Sequence, residues 1–289
     1  MKPPAFTYHR PSTLEEALRV LDELGSGAKV LAGGQSLVPL MSMRLAAPAH
    51  LIDINHLPGL DFVEVTESAV RVGALARHAR IEKDEAAYDA LPLLRRALTN
   101  VAHPTIRNRG TTVGSLVHAD PAAEMTAVLA VLDGVVEMQS ARGAREVPAA
   151  DFFVGPMECA VRTGELAVAA RFPRPPAGSG TSFVELSRRH GDYAMCGVAA
   201  VLTRGGDAVT GARVGLICVG AGPVVVDLAG AIVAGRPDPG LVHDLVDAAI
   251  DPEADIHASA DYRRQLAHVL VRRALDEAYG DTGLHRGAA

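Results

Sequence analysis

The chain has 289 residues, of which 48% are hydrophobic, 21% charged and 4% aromatic, with a formal net charge of −6. That length buries a substantial core as one large domain or two moderate ones. The acidic balance argues against a nucleic-acid partner, whose affinity would rest on clustered Lys and Arg. No apolar run approaches the ~18–20 residues that span a bilayer. The opening MKPPAFTYHRP has no apolar signal core, so the chain is expected in the cytoplasm.

The first helix is marked by Leu14, Ala17, Leu18, Leu21 and Leu24 at helical spacing up to Gly25, with Ser12 as its cap and Glu15 completing a capping box. A strand at 29–32 runs into a first glycine loop, Ala32-Gly33-Gly34-Gln35-Ser36-Leu37. Strands at 51–54 and 69–74 follow, giving a β-α-β opening. Residues 100–120, NVAHPTIRNRGTTVGSLVHAD, have little periodicity, and structureless runs of that length are usually functional. The run contains a second loop, Arg109-Gly110-Thr111-Thr112-Val113-Gly114-Ser115. It ends at Asp120, a good N-cap, with Pro121 opening a helix whose apolar face is Met125, Val128, Leu129 and Leu132.

Strands are expected at 134–140 and 165–171. The composition breaks at 173–180, PRPPAGSG, a plausible linker. Strands at 181–186, 197–203 and 212–219 follow, two of them joined around Gly205-Gly206-Asp207, and a last helix spans 259–279. The expected architecture is α+β: a larger N-terminal domain over 1–175 and a smaller C-terminal domain over 176–289 with an antiparallel sheet and helices. The three cysteines, Cys159, Cys196 and Cys218, are scattered without CxxC spacing, so they read as buried reduced thiols rather than cluster or zinc ligands.

The two loops carry the chemistry. Glycine lets backbone N–H groups approach a phosphate closely, and both loops add hydroxyl or amide donors. Two such loops converging on one ligand point to a dinucleotide with a central pyrophosphate. Neither G-x-G-x-x-G nor G-x-x-x-x-G-K-[ST] is present. Arg107 and Arg109 read as solvated or structurally paired. Asp120 is equally a helix cap or an acceptor from sugar hydroxyls. His103 and His118 lack a third ligand at metal spacing. After the linker, Ser187-Arg188-Arg189-His190-Gly191-Asp192-Tyr193 forms a loop at a strand mouth, where Tyr193 is either a core aromatic or a ring stacked on a planar cofactor. No serine elbow or acid–base carboxylate pair is evident, so no catalytic side chain is assigned.

Taken together, AGGQSLVPLMSMRLA, HLIDINHLPGL, HPTIRNRGTTVGSLVHADPAAEM and RRHGDYAM resemble the FAD-binding medium subunit of the molybdenum hydroxylases, the group of carbon monoxide dehydrogenase and xanthine dehydrogenase. The resemblance is collinear over nearly the whole chain. It implies a vanillyl-alcohol-oxidase-type FAD-binding domain of two α+β subdomains plus a C-terminal α+β domain. It implies FAD as cofactor, with the pyrophosphate held by Ala32, Gly33, Gly34, Gln35, Ser36 and Leu37 and by Thr111, Gly114 and Ser115. Asp120 then meets the sugar-alcohol chain and Tyr193 lies by the isoalloxazine ring.

The implied function is electron transfer. Two [2Fe–2S] clusters of a small subunit pass electrons from a large molybdopterin subunit to FAD, and an external acceptor (NAD, oxygen or a quinone) receives them. One departure stands out: Val113 occupies the place of the first of two family glycines, where a positive φ or a contact with the phosphate would make a β-branched residue cost of order 1 kcal/mol or more. That departure and the missing metal motifs keep open a free-standing FAD-dependent oxidase or dehydrogenase acting on a small molecule; a third reading is a scaffold that has lost tight FAD binding.

Overall fold

The computed structural model describes residues 2–206 and 208–281; Asp207, in the expected turn, lies outside the described residues. Strand β1 (Thr7–His9), helix α1 (Leu14–Leu24), β2 (Ala28–Leu31), α2 (Leu37–Ser42) and β3 (His50–Asp53) open the chain. The strands form a parallel sheet in the order β1-β3-β2. The cap of α1 is one residue later than expected. Thr13 accepts from the Glu16 amide at 3.1 Å, while Glu16 reaches back to the Ser12 amide and hydroxyl.

The second sheet is antiparallel, ordered β4-β5-β10-β6-β7. Its strands are β4 (Val63–Val65), β5 (Ala69–Gly73), β6 (Val135–Ser140), β7 (Gly143–Pro148) and β10 (Glu165–Pro173), the last following a small hairpin of β8 (Phe153–Gly155) and β9 (Glu158–Cys159). Helix α1 packs between the two sheets, against β3, β6 and β10. Between β5 and β6 run six short helices: α3 (His78–Glu82), α4 (Glu85–Ala90), α5 (Pro92–Leu98), α6 (Pro104–Arg107), α7 (Thr112–His118) and α8 (Glu124–Val131), with α9 (Ala149–Phe152) after β7.

Three expectations fail here. Residues 100–120 are not structureless, since they hold α6 and α7, each too short to show a helical period. Asp120 does not cap α8. Its Oδ1 accepts from the Ala122 amide at 2.8 Å in a local turn, and α8 starts only at Glu124. Every residue of α8 is buried, so it has no single apolar face.

Beyond Pro173 lies an antiparallel sheet of β11 (Gly180–Ser187), β12 (Ala194–Gly205), β13 (Ala208–Ile217) and β14 (Val224–Asp227). A small hairpin, β15 (Ile232–Val233) and β16 (Arg236–Pro237), leads to α10 (Pro239–Ala249) and α11 (Ala260–Asp281). Alternation along the strands buries both faces of this sheet. Phe183, Ala199, Val201 and Ile217 join the N-terminal core around α8, while Val198, Ala200 and Leu202 pack under α11 with Leu270 and Ala274. No helix among the described residues is long and apolar enough to cross a membrane.

Candidate cofactor site

The first loop leaves β2 and turns into α2 at Gly34, whose φ of 72° lies in the left-handed region that glycine tolerates. The second loop precedes α7, where Thr111 caps the helix by accepting from the Gly114 amide at 3.2 Å. The loops touch backbone to backbone. A Cβ on Gly33 would lie 2.5 Å from the Arg109 carbonyl oxygen and 2.8 Å from Gly110 Cα. Only hydrogen fits there.

A polar strut holds this junction from beneath. The Tyr8 hydroxyl donates to Asp53, whose other oxygen accepts from the Asn55 amide at 2.9 Å and side chain at 2.6 Å. Asn55 Nδ2 also donates to the Ala32 carbonyl at 2.8 Å, tying down the first loop. Arg77 donates to Asn55 Oδ1 at 2.6 Å and to the Arg109 carbonyl, reaching the second. Beside it the His78 amide donates to Gly110 O at 3.0 Å and the ring meets Thr112 Oγ1 at 3.0 Å. Burial, with help from nearby Arg107, pushes His78 down to about 4, so the imidazole is neutral. The strut residues Asp53 and Asn55 lie inside the HLIDINHLPGL stretch, but a strand-end polar pair carried no separate signal in the sequence.

The loops border a cavity of about 660 Å³, within the range of small-molecule and cofactor sites. All the residues singled out by sequence line it: Ala32, Gly33, Gly34, Gln35, Ser36, Leu37, Thr111, Gly114, Ser115, Asp120 and Tyr193. Gln35 bends back to donate to the Gly33 carbonyl at 3.1 Å. Tyr193 is 65% exposed, which removes its reading as a core aromatic. Its loop leans on the second-loop segment at Gly191, where φ is 86° and a Cβ would strike His103 at 2.6 Å. The C-terminal domain closes on the same place, with the Cys218 amide donating to Pro121 O at 2.9 Å.

Other residues fall in structural roles. Arg107 is buried and pairs with Glu82 at 2.8 Å, and the Arg109 side chain is exposed. Cys196 and Cys218 are buried, and half-buried Cys159 donates to Val117 O at 3.2 Å. His118 borders the cavity. Val113 corrects an expectation: it sits in the first turn of α7 with ordinary helical backbone, its side chain only 2% exposed, packed in the core where it borders the cavity. The strain argued for a positive φ there does not arise.

The residues suit a dinucleotide. Gly33 and Gly110 both line the cavity where the two loops touch, and Ser36, Thr111 and Ser115 line it beside them. Asp120, half-buried, is an acceptor suited to hydroxyl groups and not to phosphate.

Comparison with known proteins gives a consistent result. Residues 4–175 match the FAD binding domain in molybdopterin dehydrogenase, and residues 181–278 match the CO dehydrogenase flavoprotein C-terminal domain. The chain is 40% identical to the 6-hydroxypseudooxynicotine dehydrogenase complex subunit alpha of Paenarthrobacter nicotinovorans, over 99% of this chain and 97% of that one. It is 36% identical to the carbon monoxide dehydrogenase medium chain of Afipia carboxidovorans, over 96% and 98% respectively. Among solved structures, carbon monoxide dehydrogenase from Hydrogenophaga pseudoflava superposes with a TM-score of 0.93 at 34% identity, covering 97% of this chain and 99% of that one.

Proposed function

The chain belongs to the family of FAD-binding subunits of the molybdopterin dehydrogenases, and from that premise we propose that it is the electron-transfer subunit of a heteromeric molybdenum hydroxylase. It receives electrons from [2Fe–2S] clusters of a small partner subunit, supplied in turn by a large molybdopterin subunit, and passes them to an external acceptor. The relatives' names as complex subunits and medium chains support the partners. The observation that carries the cofactor assignment is the backbone contact at Gly33 and Gly110 over a single cavity that also meets Tyr193.

Bound FAD supplies a ring that accepts electrons singly and releases them singly or in pairs. The protein binds and orients it. In this reading Ala32 to Leu37, with Thr111, Gly114 and Ser115, hold the pyrophosphate, and the strut from Asp53 to Arg77 fixes the spacing of the two loops. Asp120 accepts from the sugar-alcohol chain, and Tyr193 lies beside the ring where the C-terminal domain closes the cavity. Residues 1–175 act as the FAD-binding domain and 176–289 as the domain that covers the ring. The alternative reading of a free-standing flavoenzyme loses one support, the positive φ at Val113, because the backbone there is helical.

The test is rapid mixing. The FAD-loaded chain, added anaerobically to a reduced iron–sulfur partner subunit from its own host, is expected to show bleaching of the flavin band as the clusters reoxidise. Flavin left oxidised by the reduced partner, but bleached directly by a small organic substrate, would show a free-standing enzyme instead.

A further inference from the structure

A second cavity, of about 480 Å³, lies in the C-terminal domain between α10 and α11 and shares no lining residue with the cofactor cavity. That volume also falls within the range of small-molecule sites. Its inner wall is apolar. Leu202 of β12, Val242 and Val246 of α10, and Val271 and Leu275 of α11 line it and are all buried. Helical spacing produces this wall, since each helix contributes two residues one turn apart. Aromatic side chains add to it. The rings of His243 and His268 stack with centroids 3.8 Å apart and planes 13° apart, and Tyr279 lines the cavity further along α11. Such a wall suits a flat ring.

His268 carries the most informative polar atom. Its Nε2 lies 3.2 Å from Asp247 Oδ1, which also accepts from Arg264 at 3.0 Å. A carboxylate only accepts, so Nε2–H donates, and in the neutral imidazole Nδ1 is left as an acceptor. That Nδ1 is buried and has no hydrogen-bond partner among the described residues. Buried polar atoms in folded proteins are normally satisfied, so this one calls for a donor from outside the chain.

The rim of the cavity is cationic. Arg236 of β16 and Arg272 of α11 both line it, both are exposed, and neither is in an ion pair among the described residues. Asp276, one turn after Arg272, is the acidic residue of the rim. The other carboxylates nearby are engaged: Asp238 caps α10 through the Gly240 and Leu241 amides, Asp244 lies 3.5 Å from His243 Nδ1, and Asp247 is held as above. Arg204 lies over the Tyr279 ring at 4.9 Å from its centroid. Two guanidinium groups against one carboxylate leave the rim positive, and a guanidinium binds a carboxylate through paired N–H groups.

We propose that this cleft binds a small aromatic hydroxy acid. Its ring lies against the apolar wall, its carboxylate meets Arg236 and Arg272 at the rim, and its hydroxyl donates to His268 Nδ1. A small molecule reaches a buried acceptor that a partner's surface laid across the rim would leave unmet. Binding is non-covalent, and the site does not depend on the reading of the other cavity.

The test is calorimetric titration of the chain at pH 8, with FAD in excess to fill the cofactor cavity. The probe is a hydroxynaphthoate with its hydroxyl and carboxylate at opposite ends of the ring system. Its controls are the naphthoate without the hydroxyl and the naphthol without the carboxylate. The hydroxynaphthoate is expected to fill one saturable site per chain, and each control to bind about 10-fold more weakly or worse. Arg236→Gln and Arg272→Gln should each weaken the hydroxynaphthoate to the same degree, about 10-fold, with thermal unfolding and FAD affinity unchanged. Nitrogen NMR of the histidine rings should show the His268 Nδ1 signal moving as the probe binds. No saturable binding, naphthol bound as tightly as the hydroxy acid, affinity untouched by both arginine substitutions, or an unmoved Nδ1 signal would each overturn the proposal.

Discussion

Gly33 has no room for a methyl group, because one would sit 2.5 Å from a backbone oxygen of the opposite loop. Gly33→Ala must therefore separate the loops, and overpacking of this kind costs about 1–3 kcal/mol. We expect FAD affinity to fall about 10- to 100-fold in equilibrium titration. Val113→Gly should behave the other way: it opens a cavity in the core and weakens a helix turn, lowering stability by about 2–4 kcal/mol with FAD affinity unchanged. Thermal unfolding and FAD titration of the same variant separate the two effects. Glu185 gives a third prediction. Its pKa in the folded chain lies above that of an unfolded glutamate, so the folded state holds the extra proton between the ordinary value of 4.5 and about 8. Stability from this group is full below that window and is lost as pH rises through it. In denaturant titrations Glu185→Gln should flatten the decline and be more stable than the wild type above pH 8. The loop glycines and hydroxyls were legible in sequence because their composition is unusual. The strut of Asp53, Asn55 and Arg77 was not, since ordinary polar residues gain that role only from the approach of distant segments.

At the scale of elements, legibility tracked length and one-sidedness. Helix α1 shows a clean apolar stripe and was read correctly, apart from a cap displaced by one residue to Thr13. Helices α6 and α7 span only a turn or two and left no period to read. Helix α8 is buried all round, so the sequence marks its start only by the most conspicuous capping residue, Asp120, which serves a local turn instead. The long β12–β13 hairpin was visible because both strands are apolar around a glycine turn. A tie between α5 and α11 is open to test. Asp281, 7% exposed, accepts from Arg96 at 2.5 and 2.8 Å and from the Thr181 amide at 3.0 Å. Removing one partner of a pair this buried leaves the other uncompensated. We expect Asp281→Ala to cost about 2–4 kcal/mol in chemical denaturation.

For the whole molecule, the sheet of β11 to β14 is buried on one face against α8 and on the other under α11, so the C-terminal region shares a core with the N-terminal one. That shared core brings Gly191, Asp192 and Tyr193 to a cavity otherwise built from the first half of the chain. The family was legible because four motifs keep their order along the sequence. The contact of the two domains was not, because it depends on alternate side chains of β12 and β13 facing α8 and of β11 facing α5. The most direct measurement is the absorption spectrum of the protein purified gently from its own host. A flavin band overlaid by broad iron–sulfur absorption is the result expected of the electron-transfer subunit of a molybdenum hydroxylase. A clean flavin spectrum without iron, or no flavin at all, would contradict it.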